Sequence, residues 1–299
     1  MAVNDVAAHP PLPDKPAEWG ADDEAGAANF VGPQAVRRGI RCVRSGTTLS
    51  LAAPIRNGKG FGLVGRAAPM HYMTRSGADY AAGQPERGGF GFADDVITMP
   101  THGVTHVDAL AHVWSDGVLY NGFSSREITS RGARRLGIEK MPPLVTRGVV
   151  VDAAGERMRN SHKPIGVDEL ATLVDETGTT LEAGDALLVR TGWLTSALAG
   201  RTDATTWPGL DNSCGPWLAE QRVALVGADN PGVEVFPSSD PACQVPLHLQ
   251  LVRGHGVYFS ELMALDRLCE AAQSEFLFVL APLPLVGGVG SPVAPVAVL

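Results

Sequence analysis

Residues 101–117 read THGVTHVDALAHVWSDG. Between His102 and His112 stand three imidazoles and one carboxylate, His102, His106, Asp108 and His112, in a chain with only eight histidines. The spacings are four, two and four. Around them, DDVITMPTHGVTHVDALAHV (94–113) carries β-branched residues at Val96, Ile97, Thr98, Val104, Thr105 and Val107, interrupted by Pro100 and Gly103. That pattern predicts a strand, a turn, then a strand edge that runs into a short helical turn. Neutral imidazole nitrogens and a hard anionic oxygen suit Zn²⁺, Mn²⁺ or Fe²⁺. Buried without a metal, such a cluster would carry uncompensated charge and unsatisfied nitrogens. On a surface loop the same histidines would simply be hydrated.

Four local groups rarely complete a metal site, so distal ligands are expected. His162, His248 and His255 lie downstream. His248 falls in VPLHLQLVRGHGVYFSE (245–261), an apolar setting in which an imidazole needs a reason to be present, and Glu261 closes that stretch where a helix is predicted to begin. His255, between two glycines, reads as an exposed loop residue.

Outward from the motif, the chain alternates strand and helix. TTLSLAAPI (47–55) is expected to be the first regular strand, after a short helix within residues 29–46. Residues 56–95, rich in glycine, arginine and isolated aromatics, read as loops that wall a site. LVTRGVVVDA (144–153), DALLVRTGW (185–193) and the end of GPWLAEQRVALVGADNPGVE (215–234) are buried strands, and EFLFVLAP (275–282) is a core strand. GVDELATLVDETG (166–178) has Leu170, Leu173 and Val174 on one helical face,. SELMALDRLCEAA (260–272) predicts a late helix. No repeat and no low-complexity linker divides the chain, so an irregular arm (1–18) and one domain (19–299) are expected.

Composition bounds the function classes. Of 299 residues, 44% are hydrophobic and 19% charged, which indicates a folded chain, and 35 glycines with 22 prolines favour an α/β or β-rich fold over a helical bundle,. The net charge of −8, with no Lys/Arg block, argues against a nucleic-acid partner,. Cys42, Cys214, Cys243 and Cys269 are far apart without a CxxC pair, as expected for reduced thiols in a cytoplasmic protein,. Residues 276–299 lack charge, but Pro282, Pro284, Pro292 and Pro295 would break a membrane helix,. Extended chain packed in a groove or against another subunit is the expectation there.

HGVTHVDALAH (102–112) resembles the signature HxGTHxDxPxH of the cyclase family of metal-dependent hydrolases, which includes kynurenine formamidases and isatin hydrolases. Gly103 sits directly after His102, and Ala109 to Ala111 replace the proline-containing step. WGADDEAGAANF (19–30), ALLVRTGW (186–193), ALVGADNPGVE (224–234) and the uncharged C-terminus also look like segments of the longer members, so the resemblance covers nearly the whole chain from Trp19. It implies a barrel-like mixed sheet flanked by helices (a swivelling β/β/α arrangement), assembled as a homodimer or homotetramer. It further implies that His102, His106 and Asp108 hold a first divalent metal, that Asp108 and Glu261 bridge to a second completed by His248, and that His112 is the catalytic acid and base.

The implied reaction is cleavage of a C–N bond in a small cyclic or aromatic amide: a formamide, lactam or imide. Metals lower the pKa of bound water from 15.7 to about 7 and polarise carbonyls. A lactone or other cyclic ester is the alternative substrate on the same site. A second alternative is a non-haem iron oxygenase using His106, Asp108 and His248, which would call for a jelly roll built almost wholly of strands. A structural metal clip is a third. No GxSxG is present, Cys243 has no activating partner in its sequence neighbourhood, and GKGFGLVG (58–65) lacks the P-loop lysine,. Phe61, Tyr72, Tyr80, Phe90, Phe92 and Trp114 could sandwich a planar ring, and Arg66, Arg75 or Arg87 could neutralise a carboxylate.

Overall fold

In the computed structural model the described residues are 18–85, 88–155, 162–202 and 204–299. Almost all of the expected N-terminal arm, and Arg87, lie outside them. Eleven strands matter to the site: β1 (Thr48–Ser50), β2 (Met70–Arg75), β3 (Asp94–Thr98), β4 (His106–Asp108), β5 (Leu144–Asp152), β6 (Ala186–Arg190), β7 (Leu225–Ala228), β8 (Tyr258–Glu261), β9 (Glu275–Leu280), β10 (Gly290–Pro292) and β11 (Val296–Val298). Nine of them form one mixed, curled sheet in the order β1-β11-β9-β5-β6-β7-β8-β4-β10. The neighbours β5, β6, β7 and β8 run parallel, and every other pairing in the sheet is antiparallel.

The parallel centre follows from composition. ALLVR in β6 and LVGA in β7 are near-continuous apolar runs, as strands covered on both faces must be,. In β9 the burial alternates, with Phe276, Phe278 and Leu280 inward,. Helices α1 (Pro33–Arg41), α2 (Val167–Glu176), α3 (Trp193–Leu198), α4 (Cys214–Glu220) and α5 (Asp266–Glu270) join or flank these strands. Of these, α1, α2 and α5 lie against β5. Gly39 sets the closeness of α1, because a Cβ there would stand 2.5 Å from the Thr146 carbonyl carbon. A buried charge cluster fastens the same contact: the Asp185 carboxylate accepts from Arg38 Nε at 2.9 Å and Arg147 Nη2 at 2.6 Å, and Arg147 also donates to Glu275 at 2.7 Å. Removing Asp185, the fully buried carboxylate of the cluster, would take a partner from both arginines at once, and loss of one partner of a buried pair costs about 3–5 kcal/mol.

Four expectations change. Residues 258–261 are a strand, not the start of a helix, and the late helix is confined to Asp266–Glu270. Phe259 and Ser260 pair with Val226 and Gly227 of β7, and this long-range pairing overrides the local helical pattern,. The first strand is only Thr48–Ser50. The stretch expected to be loops, 56–95, contains a projecting β2–β3 hairpin in which every strand residue but Arg75 is exposed. The C-terminal stretch supplies β10 and β11 to the main sheet. Among the described residues no helix is long and apolar enough to cross a membrane. A mixed sheet with a parallel centre and flanking helices is also not the all-strand jelly roll that the oxygenase alternative required.

Candidate metal centre

A strand turns alternate side chains to alternate faces, so His106 and Asp108 in β4 share a face while Val107 points into the core on the other,. The β4–β8 register sets Glu261 directly opposite His106. Cross-strand neighbours on one face stand about 4.5–5.5 Å apart at Cβ, which brings these two side chains together. Leu262, next in the chain, takes a left-handed backbone (φ 56°) and ends β8. Its carbonyl accepts from the Thr105 hydroxyl at 2.6 Å, and Ser260 Oγ donates to the His106 carbonyl at 2.9 Å. These bonds pin the two strands together on either side of the facing pair.

His102 lies in the turn before β4. On the far side β10 pairs with β4 so that Gly290 is opposite Asp108, and the His102 ring occupies the space that a Cβ at Gly290 would take. His248 opens a π-helical segment (His248–Arg253), a rare geometry that recurs at functional sites,.

The five side chains fall into two groups that share Asp108: His102, His106 and Asp108, then Asp108, His248 and Glu261, with the ligand atoms of each within 4.8 Å of one another. His102 Nε2 is 3.3 Å from Asp108 Oδ1 and His106 Nε2 is 3.2 Å from Glu261 Oε2. His248 Nε2 is 3.4 Å from Glu261 Oε1 and 3.8 Å from Asp108 Oδ2. Donor atoms bound about 2.0–2.2 Å from one tetrahedral ion stand roughly 3.3–3.6 Å apart, so this spacing fits a shared ion. Although buried, His106 Nε2 and both Asp108 oxygens have no hydrogen-bond partner. Buried polar atoms are nearly always satisfied. Three such orphans within a His/Asp/Glu donor set fit a divalent cation.

The tautomers of His106 and His248 agree with that role, whereas His102 Nε2 lies 3.2 Å from the Val289 carbonyl and its Nδ1 3.0 Å from the Thr101 hydroxyl, so His102 would have to give up the Val289 contact to bind an ion. His106 Nδ1 lies 2.7 Å from the Val104 carbonyl, which only accepts, so the proton sits on Nδ1 and Nε2 is left as the donor atom,. His248 Nδ1 is bonded to the Glu234 carboxylate, again leaving Nε2 inward. Glu234 also accepts from the backbone N–H of Leu247 at 2.9 Å and of His248 at 3.1 Å. Carboxylate–histidine pairs of this kind orient metal-binding imidazoles. The sequence carried no signal for Glu234: fourteen residues separate it from His248, and its role appears only when the 230–234 turn folds back under the π-helical segment.

Electrostatics in the metal-free cluster are strongly divided. Burial drives the His102 pKa down to about 3, with Asp108 only partly opposing it. Burial also acts against protonation of His106, yet the facing Asp108 and Glu261 carboxylates outweigh it and push the pKa to about 10. His248 is raised in the same way by Glu234 and Glu261 against its burial. Asp108 and Glu261 are held below the usual carboxylate range by these imidazoles despite burial. The site thus concentrates negative charge that protons balance in the absence of a cation.

His112 belongs to neither group. Its ring stacks on His102 with centroids 4.2 Å apart and stands 6.4 Å from His248. Burial lowers its pKa, so at neutral pH it is a neutral base beside the cluster. Downstream histidines expected as alternatives fall elsewhere: His162 is exposed, and His255 lines a separate cavity with Trp19, Phe30 and Tyr120. Of the aromatics singled out, Phe61 packs against Trp193 (centroids 6.1 Å) in a cluster that includes Leu262, the residue after Glu261. Tyr72, Tyr80, Phe90 and Phe92 belong to the projecting hairpin, and Trp114 is exposed. Trp193 and Trp207, which the sequence reading missed, join Phe61 in that cluster.

The "Cyclase" family model matches residues 44–235. The kynurenine formamidase of Geobacillus thermodenitrificans (strain NG80-2) is 30% identical over 197 residues, 66% of this chain and 76% of that protein. Among solved structures, a crystal structure described as a novel cyclase is 34% identical with a TM-score of 0.87, covering 98% of this chain and 100% of that one. Isatin hydrolase A from Ralstonia solanacearum is 20% identical with a TM-score of 0.65 over 84% of this chain and 91% of its own, a likeness of fold.

Proposed function

The chain belongs to the cyclase family, and from that premise we propose that it is a metal-dependent hydrolase that cleaves a non-peptide C–N bond in a small cyclic or aromatic amide: a formamide, lactam or imide. The observation that carries this reading is the pair of buried ligand groups joined at Asp108, with His112 stacked beside them and outside both. His102, His106 and Asp108 would hold one ion, and Asp108, His248 and Glu261 a second where two are present. Zn²⁺ and Mn²⁺ are the ions that suit this donor set. When bound, a divalent cation supplies a Lewis acid that makes water acidic and polarises a carbonyl.

The chain's own residues do the rest. His112, kept neutral by burial, takes a proton from the attacking water as the C–O bond forms. It returns that proton to the nitrogen as the C–N bond breaks, so atoms and charge balance without a covalent enzyme intermediate. The apolar cluster of Phe61, Trp193 and Leu262, whose last member directly follows Glu261, would lie near a planar ring bound at the centre. The kynurenine formamidase relative supports an amide as substrate. We place the protein in the cytoplasm as a homodimer or homotetramer acting on a small molecule, with neither nucleic acid nor membrane as partner.

The test is metal analysis of the purified protein, followed by a hydrolysis screen over N-formyl arylamines, isatin-like lactams, cyclic imides and lactones. Bound Zn²⁺ or Mn²⁺ and turnover of an amide that stops on chelation are expected. Turnover insensitive to chelators, or confined to lactones, would overturn the proposal.

A further inference from the structure

The cavity on which His255 lies takes no part in the proposed hydrolysis. Its volume is about 610 Å³, and Trp19, Phe30, Tyr120, Val223 and Val257 supply its apolar lining. Val257 immediately precedes β8, whereas Glu261 ends that strand. At about 3.3 Å per residue the four steps between them span roughly 13 Å. Val223 stands in the same way shortly ahead of β7, which runs parallel to β8. The cavity therefore sits at the end of these strands away from the metal centre, and no residue of either ligand group lines it.

Its walls are tied in place. Trp19 and Phe30 bracket one wall and meet edge to face with centroids 4.8 Å apart. Asp23 fastens the segment between them: its carboxylate accepts from the Gly26 N–H at 3.0 Å, from Asn29 Nδ2 at 2.7 Å and from Tyr120 Oη at 2.9 Å. Tyr258 Oη donates to the Ala25 carbonyl at 3.1 Å, fixing the same segment to β8. A site whose walls are already ordered spends little of its binding energy on closing around a ligand.

Size and lining define the occupant. Small-ligand sites occupy about 300–1,000 Å³ and are mostly apolar and aromatic with a few polar groups, which describes this cavity. The charged lining residues are Arg222, Arg253 and Glu18, an excess of one positive charge in a chain of net charge −8. Arg222 lies over the Phe30 ring, 4.5 Å from its centroid, and holds Glu18 through Nη2 at 2.6 Å. Arg253 is set in the wall by its Nε, which donates to the Val118 carbonyl at 3.3 Å. Aromatic faces take a planar ring, and a guanidinium takes a carboxylate through charge-assisted hydrogen bonds.

We propose that this cavity is a second small-molecule site, separate from the metal centre, that binds a planar aromatic monocarboxylate with its ring against Trp19 and Phe30 and its charge toward Arg253. The proposal does not rest on the hydrolase reading.

The experiment is calorimetric titration of the metal-loaded protein with 2-naphthoate and, as the neutral control, 2-naphthalenemethanol. Wild type should bind one 2-naphthoate per chain, about tenfold or more tighter than the alcohol, and Arg253→Gln should remove that preference. Ala219→Phe, which puts a ring into the cavity from α4, should abolish binding of both while metal content and unfolding temperature stay as in wild type. Chelation should leave 2-naphthoate binding unchanged. Binding that vanishes on chelation and survives Ala219→Phe would place the carboxylate on the ions and overturn the proposal. So would a preference for the carboxylate that is absent in wild type or intact in Arg253→Gln, or a folded wild type that shows no saturable binding.

Discussion

His112 and the five side chains below it are predicted to separate cleanly on substitution, because His112 touches the cluster without belonging to either ligand group. His112→Ala should retain most of the metal and lose about 10²-fold or more in turnover, the usual worth of a positioned acid–base group. His106→Ala or Asp108→Ala should lose metal and activity together, since each removes an atom that is now an orphan. Elemental analysis beside steady-state kinetics reads both, and full metal occupancy in the His106 and Asp108 variants would refute the ligand assignment. Glu234 acts one bond further out, through His248 Nδ1. Glu234→Gln keeps its shape but not its charge, and should weaken metal binding by about 10- to 100-fold, measured by competition against a chromogenic chelator. Unchanged affinity would reduce Glu234 to an anchor for the Leu247 and His248 backbone. Four of the candidate residues were legible as a motif because they are close in sequence, and His248 and Glu261 because polar groups in apolar stretches demand a reason. Glu234 was not, since a carboxylate at the end of a turn is ordinary until the fold places an imidazole on it.

At the scale of elements, the site exists because β4 is central enough to have a neighbour on each side: β8 delivers Glu261 opposite His106, and β10 delivers Gly290 opposite Asp108. Gly290 leaves the space that the His102 ring occupies. Gly290→Ala is therefore predicted to displace His102 and lower metal affinity. The sheet should survive, because Gly290 has no positive φ that only glycine tolerates. Chelator competition should show the weakening while thermal unfolding of the metal-free protein moves by only a few degrees; undiminished affinity would mean that the ring relaxes freely. The sequence revealed the HxD strand, the parallel apolar strands and the α2 helix, where periodicity and composition are local properties. It misled at Glu261, where Leu262, Leu265 and Leu268 imitate a helical face but pairing with β7 and the left-handed Leu262 hold the preceding residues extended. It likewise hid β10 and β11, whose partners β4, β1 and β9 lie far away in the chain.

At the scale of the molecule, the nine-stranded sheet accounts for the core but leaves the β2–β3 hairpin without a partner surface in one copy. A two-stranded hairpin alone is marginal in water, and this one shows Met70, Tyr72, Met73, Phe90, Phe92, Val96 and Ile97 at 39–69% exposure. At about 150–200 Å² for each large side chain, that is roughly 600 Å² of apolar surface, more than isolated proteins usually leave to water and close to the ~800 Å² that one side of a stable interface covers. The hairpin also leads through Pro100 straight into His102, so whatever holds it bears on the turn that sets a candidate ligand. A second copy of the chain is the partner that is always present at matching concentration, and a self-complementary patch closes as a symmetric dimer. Sedimentation should therefore show a dimer or tetramer at micromolar concentration. Met73→Glu with Ile97→Glu should shift it toward monomer by placing charge in the apolar contact, with metal content retained because neither residue is in the ligand groups. A wild-type monomer, or a double variant that associates as strongly as wild type, would show that the hairpin is not the contact between copies.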